Sequence, residues 1–187
     1  MSLSSSVPAR TLITIAGTEV SVPDPNRLVH LQFRRFAGCP VCSLHLRSFV
    51  LRHHEITAAG IHEVVVFHSS ATELRAQTAA VPLDLIADPA RALYREFGVE
   101  SSPRALLDPR GWPAIIRSVA NEIRAVRRHE KPPTPAHADG GRLGLPADFL
   151  IAPDGTVLAA KRGVHLDDQW SVDELLAHAA RTTGVTR

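Results

Sequence analysis

Two cysteines constrain this chain more than any other feature. Cys39 and Cys42 are its full complement, and they stand in the pattern Cys39-Pro40-Val41-Cys42. An apolar run, Leu28-Val29-His30-Leu31-Gln32-Phe33, leads in, and a helix-like segment from Ser43 to Ala59 leads out. Strand, short turn, C-x-x-C, helix is an order in which a dithiol can do redox chemistry. Cys39 falls at the helix start, where unpaired backbone N–H groups and the macrodipole stabilise an anion. Pro40 fits the first helical position, where its missing N–H costs nothing. A thiolate so placed, beside Arg34 and Arg35, has its pKa lowered by about one to several units from about 8.5. Cys39 therefore reads as the attacking thiol and Cys42, one turn further in, as the resolving thiol.

Three other readings compete. Two buried cysteines can fall three apart by chance, as small core residues. A zinc site needs further ligands; His45 supplies a third, but no second C-x-x-C or C-x-x-H pair exists. A structural disulfide closing so short a loop removes little chain entropy. The flanking strand and helix favour the redox reading.

The 187 residues and 44% hydrophobic content fit one domain, 1–187, with a sizeable core. A net charge of +2 speaks against a nucleic-acid partner. No apolar run is long enough to cross a bilayer, so no membrane partner is expected. Met1 to Arg10 lacks a secretory pattern, and a cysteine pair that cycles suits a reducing compartment. The expected location is the cytoplasm.

Taken in order, Thr11–Ile15 and Glu19–Val22 read as a hairpin within 11–22. Leu28 to Arg35 is the core strand, and Gly60 ends the helix that follows the cysteines. Glu63–Phe67 is a second strand, expected to be apolar on both faces. Ser70 and Glu73 form a capping box for a helix to about Ala80. Leu83–Ala87 is a strand; Asp88 and Pro89 then open a helix from Ala90 to Phe97 that stops at Gly98. Residues 100–145 interrupt this alternation. Within them, Pro113 to Val126 looks helical, with Ile116, Val119, Ile123 and Val126 on one stripe and arginines on the other side. Trp112, which opens that helix, either covers the site as a lid or, the favoured reading, anchors the insertion in the core; 131–135 and 140–141 read as loop. Phe149–Ala152 and Thr156–Lys161 form a second hairpin, and Ser171 with Glu174 caps a last helix, Val172 to Arg181. The pattern predicts an α/β sandwich: a mixed sheet with helices on both faces, an N-terminal hairpin and a helical insertion.

These residues resemble the thioredoxin-fold redoxins, and within them the peroxiredoxin-like branch of the alkyl hydroperoxide reductase / thiol-specific antioxidant superfamily. The likeness rests on Phe33 through Cys42, Val66-Phe67-His68-Ser69, Asp88-Pro89 to Val99, Phe149 through Gly155, and Gln169 through Leu176. It implies a thioredoxin-like three-layer sandwich. Two positions depart from the usual peroxiredoxin pattern: Gln32 and Phe36 stand where a proline and a hydroxyl residue are expected. The later arginine of that pattern is missing, and Leu145-Pro146-Ala147-Asp148-Phe149 stands there. Pro146 instead resembles the cis-proline that lies against the dithiol in thioredoxins.

The resemblance and the residues together predict a thiol-dependent oxidoreductase that reduces peroxides or disulfides through a Cys39/Cys42 cycle. Disulfide reduction without peroxidase activity, and a non-enzymatic redox sensor, are the alternatives. Supporting roles fall to Arg34 or Arg35, of which only one can face Cys39, and to Pro40, Pro146 and His68. His68 closes a strand at the edge where α/β sites gather. No cofactor is expected. The expected reductant is an external dithiol of thioredoxin or glutathione type, and a homodimer is compatible with the sequence.

Overall fold

In the computed structural model, the described residues are 6–78, 81–99, 112–128 and 143–183. The strands are β1 (Arg10–Ile13), β2 (Glu19–Val22), β3 (Leu28–Arg34), β4 (Ile61–Phe67), β5 (Asp84–Ala87), β6 (Ala147–Ile151) and β7 (Val157–Arg162). The helices are α1 (Pro40–Leu51), α2 (His53–Ala58), α3 (Ala71–Gln77), α4 (Ala92–Glu96), α5 (Trp112–Arg127) and α6 (Val172–Thr183). β1 and β2 pair by themselves. The other five form one sheet in the order β5-β4-β3-β6-β7. β3 is parallel to β4 and antiparallel to β6, so the sheet is mixed as expected.

The central strand has two unlike faces. Val29, Leu31 and Phe33 join Val64, Val66, Phe149 and Ile151 in a core cluster with Tyr94, Phe97 and the hairpin residues Val20 and Val22. The alternate residues, His30, Gln32 and Arg34, are fully buried on the other face. There Phe49 of α1, Ile56 of α2 and Leu175 of α6 pack around Leu150 and Trp170. Buried polar side chains are tolerable only when paired. Here the partners come from the neighbouring strands. His30 Nδ1 lies 3.0 Å from Glu63 of β4, and His30 Nε2 lies 3.2 Å from Asp148 of β6. Gln32 donates to Glu63, and Arg34 donates to Asp148 at 2.7 Å. β4 is accordingly not apolar throughout, because Glu63 closes this network.

Local signals placed most boundaries, with instructive exceptions. Ser70 caps α3, its Oγ accepting the Glu73 N–H at 3.3 Å. Ser171 and Glu174 form the reciprocal capping box of α6. Asp88 does not cap a helix starting at Ala90. It reaches over a turn to accept the N–H groups of Ala92 and Leu93 at 2.9 and 2.8 Å, with Arg91 left-handed between them, so α4 starts later. The long helix after the cysteines is broken at Arg52, whose backbone leaves the helical region at φ −111° and whose side chain binds Glu55 and Asp173.

The helix of the insertion runs the expected way but faces the unexpected way. α5 packs beside α1, presenting buried Ser118 and partly buried Ile115 inward. A small residue at the contact lets two helices approach closely. Trp112 is 54% exposed and does not anchor the core, and Ile116 is 70% exposed. The helix capped by Ser70 ends at Gln77, where Thr78 turns extended, short of the expected Ala80; the expected loops at 131–135 and 140–141 lie outside the described residues.

Candidate active site

The site forms where β3 turns into α1. Past Arg34 the chain leaves the sheet, and Gly38 takes a positive φ of 77° that lets it double back. Ala37 N–H is held by Ser69 Oγ at 3.0 Å, from the end of β4, and Cys39 N–H by Phe36 O at 3.1 Å. Cys39 is the N-cap of α1 and Pro40 its first residue, so the sulfur lies at the helix N-terminus. One turn on, Cys42 points into the same apolar cluster, with Phe36, Ala37, Val41, Val65, Phe67 and Leu74.

Both thiols are free and buried. The Cys39 thiol is drawn down to about 6. The strongest cause is the hydrogen bond from the Cys42 thiol. Burial opposes the shift, while the Arg35 charge and the backbone N–H groups of Cys42 and Val41 reinforce it. Cys42 moves the other way, well above an ordinary thiol. Its proton is held by Cys39, burial disfavours its thiolate, and a second anion beside Cys39 is repelled. One sulfur is thus built to be charged at neutral pH and the other to keep its proton.

The two arginines separate, as strand alternation requires. Arg35 Nη1 lies 3.7 Å from Cys39 Sγ, with its guanidinium 5.4 Å from the centre of the Phe36 ring. Arg34 is on the opposite face, given over to Asp148, Gln32 and His45, and does not serve the thiolate. His45 is likewise turned to Arg34 Nη2 at 3.2 Å. Burial and that cation hold its pKa well below the usual range. Among the described residues, no three His, Cys, Asp or Glu side chains are gathered for a metal ion.

His68 is fully buried behind Arg35. Its backbone N–H donates to Arg35 O at 3.3 Å, and its ring meets Tyr94 edge-on. Gly144 closes this side: a Cβ there would lie 3.0 Å from His68 Nε2 and 3.8 Å from Arg35 Cγ. Pro146 is not a cis-proline. Among the described residues the only cis peptide bond is Val22–Pro23. Pro146 instead runs extended into β6, its carbonyl accepting the Gly163 N–H at 2.9 Å.

Sequence reasoning missed three contributors. Arg91 lies 3.5 Å from His68 Nδ1 and donates to Leu143 O at 3.0 Å, adding a second cation behind the site. Ser69 fixes the turn before Cys39. Gln77 fills the space in front of Gly38, where a Cβ would meet its Oε1 at 2.9 Å. None has a local signature, because each acts across the gap between separate elements. A cleft of about 410 Å³ runs along α1, lined by Val41, Leu44, His45, Ser48, Arg117 and Asp167, but neither cysteine lines it.

Residues 48–165 match the family described as AhpC/TSA antioxidant enzyme. The matched stretch begins after Cys42, so the cysteine pair is read from geometry and not from the match. No curated protein is significantly similar to the chain. Among solved structures, it resembles a peroxidoxin, BcpB, from Mycobacterium tuberculosis, with 16% identity, 94% of each chain covered and a TM-score of 0.63. It also resembles the bacterioferritin comigratory protein of Xanthomonas campestris, with 18% identity, 92% and 91% covered, and a TM-score of 0.63. A thiol:disulfide interchange protein, DsbE, from Chlorobium tepidum shares 19% identity over 97% and 98%, with a TM-score of 0.56. These likenesses show a common thioredoxin-like fold.

Proposed function

Since the chain belongs to the AhpC/TSA antioxidant enzyme family and is a thiol-dependent oxidoreductase of its peroxiredoxin-like branch, we propose that Cys39 and Cys42 are its reacting dithiol and that a small hydroperoxide is its preferred oxidant. The observation that carries this is the opposite tuning of two adjacent thiols, Cys39 down to about 6 and Cys42 far up. Cys39 thiolate attacks the outer peroxide oxygen. The O–O bond breaks, the leaving alkoxide takes a proton, and Cys39 becomes a sulfenic acid. Cys42 gives up its proton as its sulfur attacks that of Cys39; the S–O bond breaks, the proton joins the departing hydroxide as water, and the Cys39–Cys42 disulfide forms. An external dithiol then reduces the disulfide by exchange and is itself oxidised.

Arg35 and the backbone N–H groups at the start of α1 are the donors available to hold the peroxide and the developing charge. Phe36 offers none from its side chain, so the rate falls short of a site with a full donor set. Burial decides between substrates. Cys39 is 1% exposed, so a peroxide reaches it with less opening than a bulky disulfide needs. His68 and Arg91 act as positioning residues that back Arg35, and Pro40 fixes the helix start. A cycle that needs re-reduction suits the cytoplasm. Among the described residues, no helix is long and apolar enough to cross a membrane.

Stopped-flow oxidation of the reduced protein tests the choice of substrate. Hydrogen peroxide should react at least about tenfold faster than a model aromatic disulfide at equal concentration, a margin of about 1.4 kcal/mol. The reverse order would return the site to disulfide reduction.

A further inference from the structure

α5 turns its apolar stripe outward. Trp112, Ile116, Val119 and Ile123, spaced four, three and four apart, share one face. They are 54%, 70%, 42% and 47% exposed. Arg117, Arg124 and Arg128 recur at seven and four and form the adjoining row. Arg127 ends the stripe one turn beyond Ile123. All four arginines are exposed. Glu122 is the only acidic residue between Trp112 and Arg128. The inward side of the same helix is fixed: Ser118 is buried, and Ile115 packs on the cluster that holds Cys39 and Cys42.

We propose that α5 docks this protein onto an anionic lipid surface, with the Trp112–Ile123 stripe entering the headgroup boundary and the arginine row binding lipid phosphates. Charge selects the occupant. Stripe-to-stripe pairing of two copies would bring two arginine rows together with one glutamate each, a like-charge contact that disfavours association. A phosphate surface satisfies the same rows, and guanidinium groups bind phosphate in a two-pronged geometry. A straight aliphatic stripe with an aromatic at one end and a basic flank is the pattern of a helix lying in the membrane interface. The expectation of no membrane partner rested on the lack of a spanning run, which does not bear on a helix lying flat. The dithiol cluster lies one helix diameter, about 10 Å, behind the docked face.

Flotation of the full-length protein with vesicles tests this, using phosphatidylcholine alone and phosphatidylcholine with about one-third phosphatidylglycerol. Binding should appear only with the anionic vesicles and fall as salt rises. Ile116→Glu with Ile123→Glu should abolish it. Arg124→Gln with Arg127→Gln should weaken it about 25-fold, each arginine near an anionic surface being worth about fivefold. Both double variants should keep the wild-type rate with hydrogen peroxide. Cys39→Ser should bind vesicles like the wild type, so failure of docking and failure of the thiol reading remain distinct. Absence of binding to anionic vesicles would overturn the proposal. So would binding that survives the two glutamates, which would be diffuse charge attraction. A dimer in sedimentation velocity that the glutamates dissolve, without vesicle binding, would give the stripe to a second copy instead.

Discussion

Arg35 places Nη1 3.7 Å from Cys39 Sγ, setting a side-chain cation against the sulfur that the helix N-terminus already favours as an anion. Arg34, its neighbour in sequence, is spent on the other face of the sheet. A single step along the strand thus divides two like residues between reactivity and structure.

Replacing Arg35 by Met keeps the unbranched apolar stem of the side chain and removes the charge. The Cys39 thiol should then titrate above its value of about 6, by about one to three units if the cation acts as such charges usually do. Thiolate absorbance against pH measures it directly. The variant should still unfold cooperatively, and its peroxide rate at pH 7 should fall by more than the lost thiolate accounts for, because Arg35 is also a donor to the peroxide. An unchanged titration would remove Arg35 from the site.

The pH dependence of stability carries two opposed contributions. For His30, burial pulls its pKa down but Glu63 and Asp148 prevail and raise it to about 9. Its stabilisation is therefore complete below about 6.5 and lost as pH rises to 9. Cys39 is depressed, so its contribution is absent below about 6 and grows as pH rises toward the ordinary thiol range. The reduced wild-type protein should show a nearly flat urea-unfolding profile between pH 6.5 and 9. Cys39→Ser removes one arm, and its stability should fall by about 3 kcal/mol over that window. A flat profile in the variant would mean that His30 is not held as a cation.

Asp148 serves Arg34, His30 and the Trp170 N–H at once. Burial would raise its pKa, but the two cations prevail and hold it well below the usual carboxylate range. Asp148→Asn leaves Arg34 fully buried beside a neutral amide. A loss of about 3–5 kcal/mol is expected, as for other buried pairs broken on one side. Denaturant unfolding at pH 7 checks it, and a loss under 1 kcal/mol would show the network to be replaceable.

Gly38→Ala puts a Cβ at a positive φ and 2.9 Å from Gln77 Oε1. The backbone strain alone costs about 1–3 kcal/mol, and Gln77 must move. Lower stability together with a higher Cys39 titration midpoint is expected, because the turn that sets the sulfur at the helix end is distorted. Stability lost with no change in the midpoint would separate the turn from the thiolate.

Much of this molecule was legible in its sequence, and the exceptions have physical causes. The strands, the cysteine pair at a helix start and the serine caps at Ser70 and Ser171 are local patterns, and they lie where those patterns point. The row His30, Gln32, Arg34 was not legible as a network. Its partners Glu63 and Asp148 come from other strands, and nothing near His30 announces them. Alternation said that Arg34 and Arg35 part ways but not which faces the sulfur. That choice depends on which side of the sheet carries Asp148. The period of α5 revealed its stripe but not whether Ile116 or Ser118 would turn inward; close packing on α1 selected the smaller residue. Pro146 was read by likeness to thioredoxins, and no local feature of Leu145-Pro146 encodes the isomer.

The claim that Cys39 attacks and Cys42 resolves is tested most directly by trapping the sulfenic acid. Reduced Cys42→Ser and Cys39→Ser proteins are each given one equivalent of hydrogen peroxide near pH 7 with dimedone present, and the adducts are located by peptide mass mapping. The Cys42→Ser protein should consume its equivalent in a single event and carry the adduct on Cys39, with a rate that rises with pH as the thiolate forms. The Cys39→Ser protein should remain unmodified over the same time. An adduct forming on Cys42 in the Cys39→Ser protein at a comparable rate would contradict the assignment.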